Sequence, residues 1–121
     1  MKKTYTLPHP ELVKQQLKQI LNQVEFIRSS TLTKFLEYLV NTKLSGHEYK
    51  INDYTVGVKV LGRPSNFNPL YDPVVKTHAS RLRNLLRHYY EANRKNDVIR
   101  ISLPEKDYIP VFLDITKHEL V

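Results

Sequence analysis

The chain has 121 residues, a formal net charge of +7, 40% hydrophobic and 26% charged residues, and no cysteine. This is one domain's worth of ordinary globular composition, enough to close a core without metal, and it excludes a disulfide framework, a Cys-ligated zinc site and a disordered tail. The cationic excess, with a pI near 9.6, asks for a polyanionic partner, either nucleic acid or an anionic membrane surface.

Residues 1–9 read as an extended lead-in, because Pro8 and Pro10 bracket His9 and hold off helix. The Met1-Lys2-Lys3 start has the charge of a signal peptide but no apolar run behind it, and no window approaches a membrane span. The expectation is a soluble, cytoplasmic protein that does not bind membranes. A first helix then starts at Pro10 or Glu11, with Leu12, Val13, Leu17, Ile20, Leu21 and Val24 as its apolar stripe and Lys14, Gln15, Lys18, Gln19 and Asn22 opposite. Such a stripe suits a cover on the chain's own core in preference to a dimer seam.

Ser29 and Ser30 are capping candidates for a second helix, in which Leu32, Phe35, Leu36, Leu39, Val40 and Leu44 recur at three- and four-residue steps until Ser45-Gly46 ends it. A polar connector over 47–50 leads to Asn52, which can cap a short third helix running to about Leu61, where Gly62 and Pro64 stop it. Residues 63–71 form a turn-rich loop. Asp72 can cap the next helix, with Pro73 at the first helical position, where its missing N–H would be unpaired in any case. This basic helix runs to 93–96. Period 2 then replaces period 3.6. Ile99, Ile101 and Leu103 alternate with Arg100 and Ser102, residues 104–107 turn, and 108–112 return, with Pro110 confining the return strand to an edge.

The basic helix separates two kinds of surface. At about 100° per residue, Val75, Ala79, Leu82, Leu86 and Tyr89 fall on one side, and Thr77, Ser80, Arg81, Asn84, Arg87 and His88 on the other. No acid stands between Lys76 and His88. The arginine fork matches phosphate oxygens and the edge of guanine, while Ser, Thr and Asn suit phosphates or base edges at close approach. The plain alternative is a solvated basic helix. The order of elements favours the first reading: helix, helix, short helix, loop, basic helix and hairpin is the order of a winged helix-turn-helix. The expected fold is therefore mainly α with a small β-hairpin, a winged helix-turn-helix over 10–113 carrying an extra N-terminal amphipathic helix, followed by a tail over 114–121.

Several motifs carry a family resemblance. Ser30-x-x-x-x-Phe35-Leu-x-Tyr-Leu-Val40, Asp53-Tyr-Thr-Val-Gly-Val-x-Val60-x-Gly-Arg-Pro64, Phe67-x-Pro69, Asp72-Pro-Val-Val-Lys76, Ala79-x-Arg-Leu-Arg83, Tyr89-Tyr90 and Ile101-x-Leu-Pro104-x-x-x-Tyr108-x-Pro-x-Phe112 together resemble a bacterial module. That module precedes TolB-like or tetratricopeptide regions, sometimes under adenylate-cyclase labels. More distantly, Val75-x-x-His78-x-x-Arg81-Leu-Arg83 and the hairpin are similar to the recognition helix and wing of OmpR/PhoB-type response-regulator domains. The resemblance implies sequence-specific binding of double-stranded DNA and transcription regulation. It implies that Lys76, Thr77, Ser80, Arg81 and Asn84 approach base edges or nearby phosphates, and that Arg83 and Arg87 clamp the backbone. Asn52 at a helix start, and Arg100 and Lys106 in the hairpin, complete the expected DNA-contacting set. Two departures stand out: OmpR/PhoB-type domains begin with a small sheet where this chain has a helix, and the module's wing turn carries Lys-Gly where this chain has Glu105-Lys106-Asp107.

Other chemistry has little footing. His78 and His88 lie too far apart on one helix to share a metal, and only three scattered glycines occur, too few for a phosphate loop. No nucleophile motif or flanked carboxylate pair is present, so no enzyme, cofactor, metal or small-molecule substrate is expected. Tyr89 and Tyr90 read as core, while Tyr49, Tyr54 and Tyr71 could reach phosphates. A module of this size reads few base pairs, so a homodimer or tandem copies on DNA are expected. The competing function is a non-catalytic protein-interaction or assembly module on the same scaffold.

Overall fold

Capping, period and turn chemistry set most of the element boundaries in the computed structural model, which describes residues 8–93 and 97–115. Helix α1 (Pro10–Leu21) opens with His9 Nδ1 accepting from the Glu11 N–H and buries Val13, Gln16, Leu17 and Ile20. It stops earlier than the apolar stripe suggests. The Asn22 N–H folds back onto Lys18 and Gln19 carbonyls, and a one-turn helix α2 (Val24–Ile27) follows, in which Phe26 is buried and Val24 is 50% exposed. Leu12 is also exposed, so two members of the expected stripe lie outside the core. The larger Phe26 ring takes the inward place that the helical period had assigned to Val24.

Helix α3 (Ser30–Leu44) is capped by Ser29, whose Oγ accepts from the Leu32 N–H at 3.1 Å. It ends in a Schellman pattern: the His47 N–H bonds to Thr42 O and the Gly46 N–H to Lys43 O, with Gly46 at φ +80. Leu32, Phe35, Leu36, Leu39 and Val40 are buried along its length and make it the central helix of the core. A 3₁₀ turn (Glu48–Lys50) and the Asn52/Thr55 capping box then start α4 (Asp53–Lys59). The Arg63–Asp72 ion pair at 2.8 Å draws the two ends of the following loop together.

Helix α5 (Val74–Asn93) begins one residue after Pro73, the expected first helical position, and Asp72 Oδ1 accepts from the N–H of its first residue, Val74. Val75, Ala79, Leu82, Leu86, Tyr89 and Tyr90 are buried. The antiparallel hairpin pairs β1 (Ile99–Ser102) with β2 (Val111–Asp114) in the register Ile99↔Asp114, Arg100↔Leu113, Ile101↔Phe112 and Ser102↔Val111. The return strand therefore lies later than the expected 108–112. Pro110 has no N–H for a ladder, and its carbonyl instead accepts from Lys43 Nζ of α3 at 2.6 Å. The pairing also passes the expected end at 113, since the Ile115 N–H bonds to Val98 O. Helix α1 packs on β1 and α3, and α5 packs on α3, α4 and β1, so α1 covers the core in cis.

The result is a mainly helical domain with one small hairpin on its C-terminal side. Of the expected lead-in over 1–9 and tail over 114–121, residues 1–7 and 116–121 fall outside the described residues, as does the expected helix end over 94–96.

Candidate nucleic-acid interface

The amphipathic pattern of α5 becomes a physical division. Its apolar flank lies in the core, while Lys76, Thr77, Ser80, Arg81, Asn84, Arg87 and His88 are all exposed. At 1.5 Å per residue the row from Lys76 to Arg87 is about 16 Å long, enough to follow a major groove across several base pairs. Among the described residues neither Lys76 nor Arg81 is held in an ion pair. Arg87 donates through Nη1 to Asn84 Oδ1 at 2.8 Å, which fixes both side chains on the outer face. His78 is half-buried with Nδ1 2.8 Å from Val74 O of its own helix, and among the described residues no group of three metal-ligating side chains comes together.

Arg83 sits elsewhere in this scheme. Its Nε donates to Pro104 O at 3.1 Å, and its Nη2 donates to Asp107 O at 3.0 Å and Glu105 O at 3.5 Å. The guanidinium also lies 5.8 Å from the centre of the Tyr108 ring. This residue grips the hairpin loop from α5, which leaves it little freedom to clamp a duplex backbone. Burial, and then the neighbouring Asp53 carboxylate, push the Tyr108 hydroxyl up to about 12.

Asn52 is likewise committed within the protein. Its Oδ1 accepts from the Thr55 N–H at 2.9 Å, and its own backbone N–H donates to Thr55 Oγ1 at 3.1 Å. The backbone donor expected to meet a phosphate is therefore occupied. Of the three tyrosines expected near phosphates, Tyr54 donates its hydroxyl to Ser65 O at 2.8 Å, while Tyr49 and Tyr71 are 72% and 85% exposed. In the hairpin, Arg100 and Lys106 are exposed, and the Arg100 guanidinium lies 5.1 Å from the centre of the Tyr90 ring.

Sequence reasoning missed the buried polar chain that supports this face. Gln16 Nε2 donates to the Tyr89 hydroxyl at 3.3 Å, and that hydroxyl donates to Asp97 Oδ1 at 3.3 Å, joining α1, α5 and the approach to β1. Gln16 and Asp97 are 3% and 6% exposed. Burial, and next the Asp97 charge, raise the Tyr89 pKa above its ordinary value. The spacing Val13, Gln16, Leu17, Ile20 was the available signal, since position 16 falls inside that stripe.

No protein-family model, curated protein or solved structure matches the chain. What the fold defines is a helical domain that holds outward a cationic helix face, acid-free from Lys76 to His88, beside a hairpin pinned to the same helix.

Proposed function

We propose that the chain is a double-stranded DNA-binding transcription regulator of winged helix-turn-helix type, with α5 as the groove-reading helix and the hairpin as its wing. The observation that carries this is the exposure of Lys76, Thr77, Ser80, Arg81, Asn84 and Arg87 on one face of a helix whose opposite flank is core. In this reading Lys76, Thr77, Ser80, Arg81 and Asn84 meet base edges or close phosphates, Arg87, Arg100 and Lys106 meet the backbone, and Arg83 keeps the wing in place. The loop over 60–73 between α4 and α5 is longer than the tight turn of a minimal helix-turn-helix, and the Arg63–Asp72 pair closes it.

Anisotropy titrations of labelled duplex over a salt series test the proposal directly. Five to eight neutralised phosphates give a slope of about −4 to −7 in log affinity against log salt, and selection from a random duplex pool enriches a recurring sequence. Weak, salt-insensitive binding with no enriched sequence refutes it. One observation favours the alternative of a protein-interaction module: Leu70 and Tyr71, just ahead of α5, are each 85% exposed, and adjacent exposed apolar side chains are common at protein contacts. The same titrations separate the two.

A further inference from the structure

Between α5 and β1 lies a cleft of about 310 Å³ whose lining includes Arg83, Arg87 and Arg100. Its apolar surface comes from Leu86, Tyr90, Ile101 and Leu103, and Ser102 adds a hydroxyl. Arg83 turns its Nε and Nη2 towards the loop carbonyls. Arg87 and Arg100 are different. Arg87 is held by one bond to Asn84, its Nε–H and Nη2 having no partner among the described residues, and Arg100 rests over the Tyr90 ring. Neither is in an ion pair with a described residue. Two planar guanidinium forks lining one cleft beside an apolar wall suit an oxyanion, because the fork matches two oxygens at once while the wall accepts an attached carbon skeleton.

We propose that this cleft binds an organic oxyanion of phosphate type, its oxygens on Arg87 and Arg100 and its apolar portion against Leu86, Tyr90 and Leu103. Two sources share that chemistry: a duplex phosphodiester with its deoxyribose, and a free organic phosphate. The assignment of Arg87 and Arg100 as cationic contacts rests on the reading above only if the source is duplex. Glu91 and Glu105 also line the cleft, so the seat is selective: a probe must place its charge at the arginines and keep clear of two carboxylates.

The probes are phenyl phosphate, inorganic phosphate and a short duplex, titrated into the ¹⁵N-labelled full chain and followed by NMR. Phenyl phosphate gives saturable shifts at the Arg87 and Arg100 side-chain N–H groups and at the amides of Ile101, Ser102 and Leu103. Inorganic phosphate, with no apolar portion, binds about tenfold more weakly, as the loss of one well-buried ring predicts. Arg87→Gln and Arg100→Gln each weaken phenyl phosphate by about tenfold or more, the worth of a hydrogen bond to a charged group. Glu105→Gln, an exposed change, tightens it. Competition between phenyl phosphate and duplex assigns the seat to duplex phosphate. Independent binding of the two, or phenyl phosphate binding by a chain that ignores duplex, assigns it to a free ligand and in the latter case defeats the DNA reading alone. The proposal is overturned by the absence of saturable shifts with either phosphate probe, or by shifts that persist unchanged in the Arg87→Gln, Arg100→Gln double variant.

Discussion

Replacing Arg83 with methionine separates a wing anchor from a phosphate clamp. Methionine keeps an unbranched apolar stem and removes the guanidinium, so the change deletes the bonds to Pro104 O at 3.1 Å and Asp107 O at 3.0 Å, together with the longer one to Glu105 O. Hydrogen bonds to a charged donor are worth about 1.5–3 kcal/mol each when enclosed. Here Arg83 is only half-buried and Glu105 is exposed, so water can replace part of what is lost. A net destabilisation of about 1–2 kcal/mol follows for the two short bonds, after that discount. For a domain of this size that lowers Tm by roughly 3–10 °C, read by circular dichroism.

The duplex titration supplies the second half of the test. An anchor that never meets phosphate leaves the salt slope unchanged when removed, whereas each lost phosphate contact lowers it by about one. Arg87→Gln is the control, expected to keep the wild-type melting temperature and to lower the slope. If Arg83→Met melts with the wild type and shortens the salt slope by one, the guanidinium belongs to the duplex and the assignment to the hairpin loop is wrong.

Other changes test separate joints of the structure. Gly57 lies in α4 where an added Cβ would stand 2.3 Å from Phe67 Cε2, 2.7 Å from Cδ2 and 2.8 Å from Cζ. Gly57→Ala therefore destabilises by about 1–2 kcal/mol despite its gain in helix propensity, and a denaturant midpoint above the wild type's would refute the clash. Arg81→Ala costs about 1–3 kcal/mol on the selected duplex and less on unrelated ones; equal losses on all sequences reassign Arg81 to phosphate. Tyr90→Phe removes the hydroxyl that donates to Ile99 O at 3.1 Å and accepts from the Ile101 N–H at 2.7 Å. Two buried backbone groups lose their partner, at about 1–3 kcal/mol each, and unchanged amide exchange at Ile101 would contradict this. The Tyr108 hydroxyl is raised from 10.0 to about 12 in the folded chain, so the folded state holds its proton longer than the unfolded one. The corresponding stability is fully present below pH 10 and is lost as pH rises towards 12. Tyr108→Phe flattens the alkaline limb of a pH–stability curve, and an identical limb in both proteins would exclude this group as the cause.

The parts of the fold legible in the sequence were those determined locally. Ser29, Asn52 and Asp72 each cap the helix expected of them, because capping needs only a side-chain oxygen within two or three residues of an orphan N–H. The outer face of α5 follows from period alone, and all six of the polar residues it assigns there, Thr77, Ser80, Arg81, Asn84, Arg87 and His88, are exposed. Decisions taken over longer distances were not visible. The break between α1 and α2 has no glycine or proline to announce it, and Val24 continued the apolar spacing that Phe26 in fact completes. The return strand was displaced by partners of Pro110 and of the loop before it, which lie on α3 and α5. Arg83 meets carbonyls 21 and 24 residues further along the chain, a relation no helical period encodes. A basic face therefore tells which arginines can look outward, while tertiary contacts decide which of them are available.

The same contacts explain how a hairpin this small can serve as a fixed part of a recognition surface. Two short strands alone are marginal in water, and the open edge of β1 would leave backbone groups without partners. Tyr90 answers for Ile99 O and the Ile101 N–H, and burial raises its hydroxyl pKa, holding it neutral so that it can donate as well as accept. Arg83, about two turns back on the same face of α5, binds the loop carbonyls, and Lys43 holds Pro110 O while lying 5.1 Å from the centre of the Phe112 ring. Three side chains from two helices thus fix the hairpin at its edge, its tip and its return. If the proposed duplex binding holds, helix and hairpin would meet the duplex already placed with respect to each other, and the entropy of ordering them would be lost during folding instead of at binding. On this argument, weakening Arg83 or Tyr90 lowers duplex affinity through looseness of the hairpin and leaves the base preference of Arg81 intact. Substitutions on the outer face of α5 do the reverse.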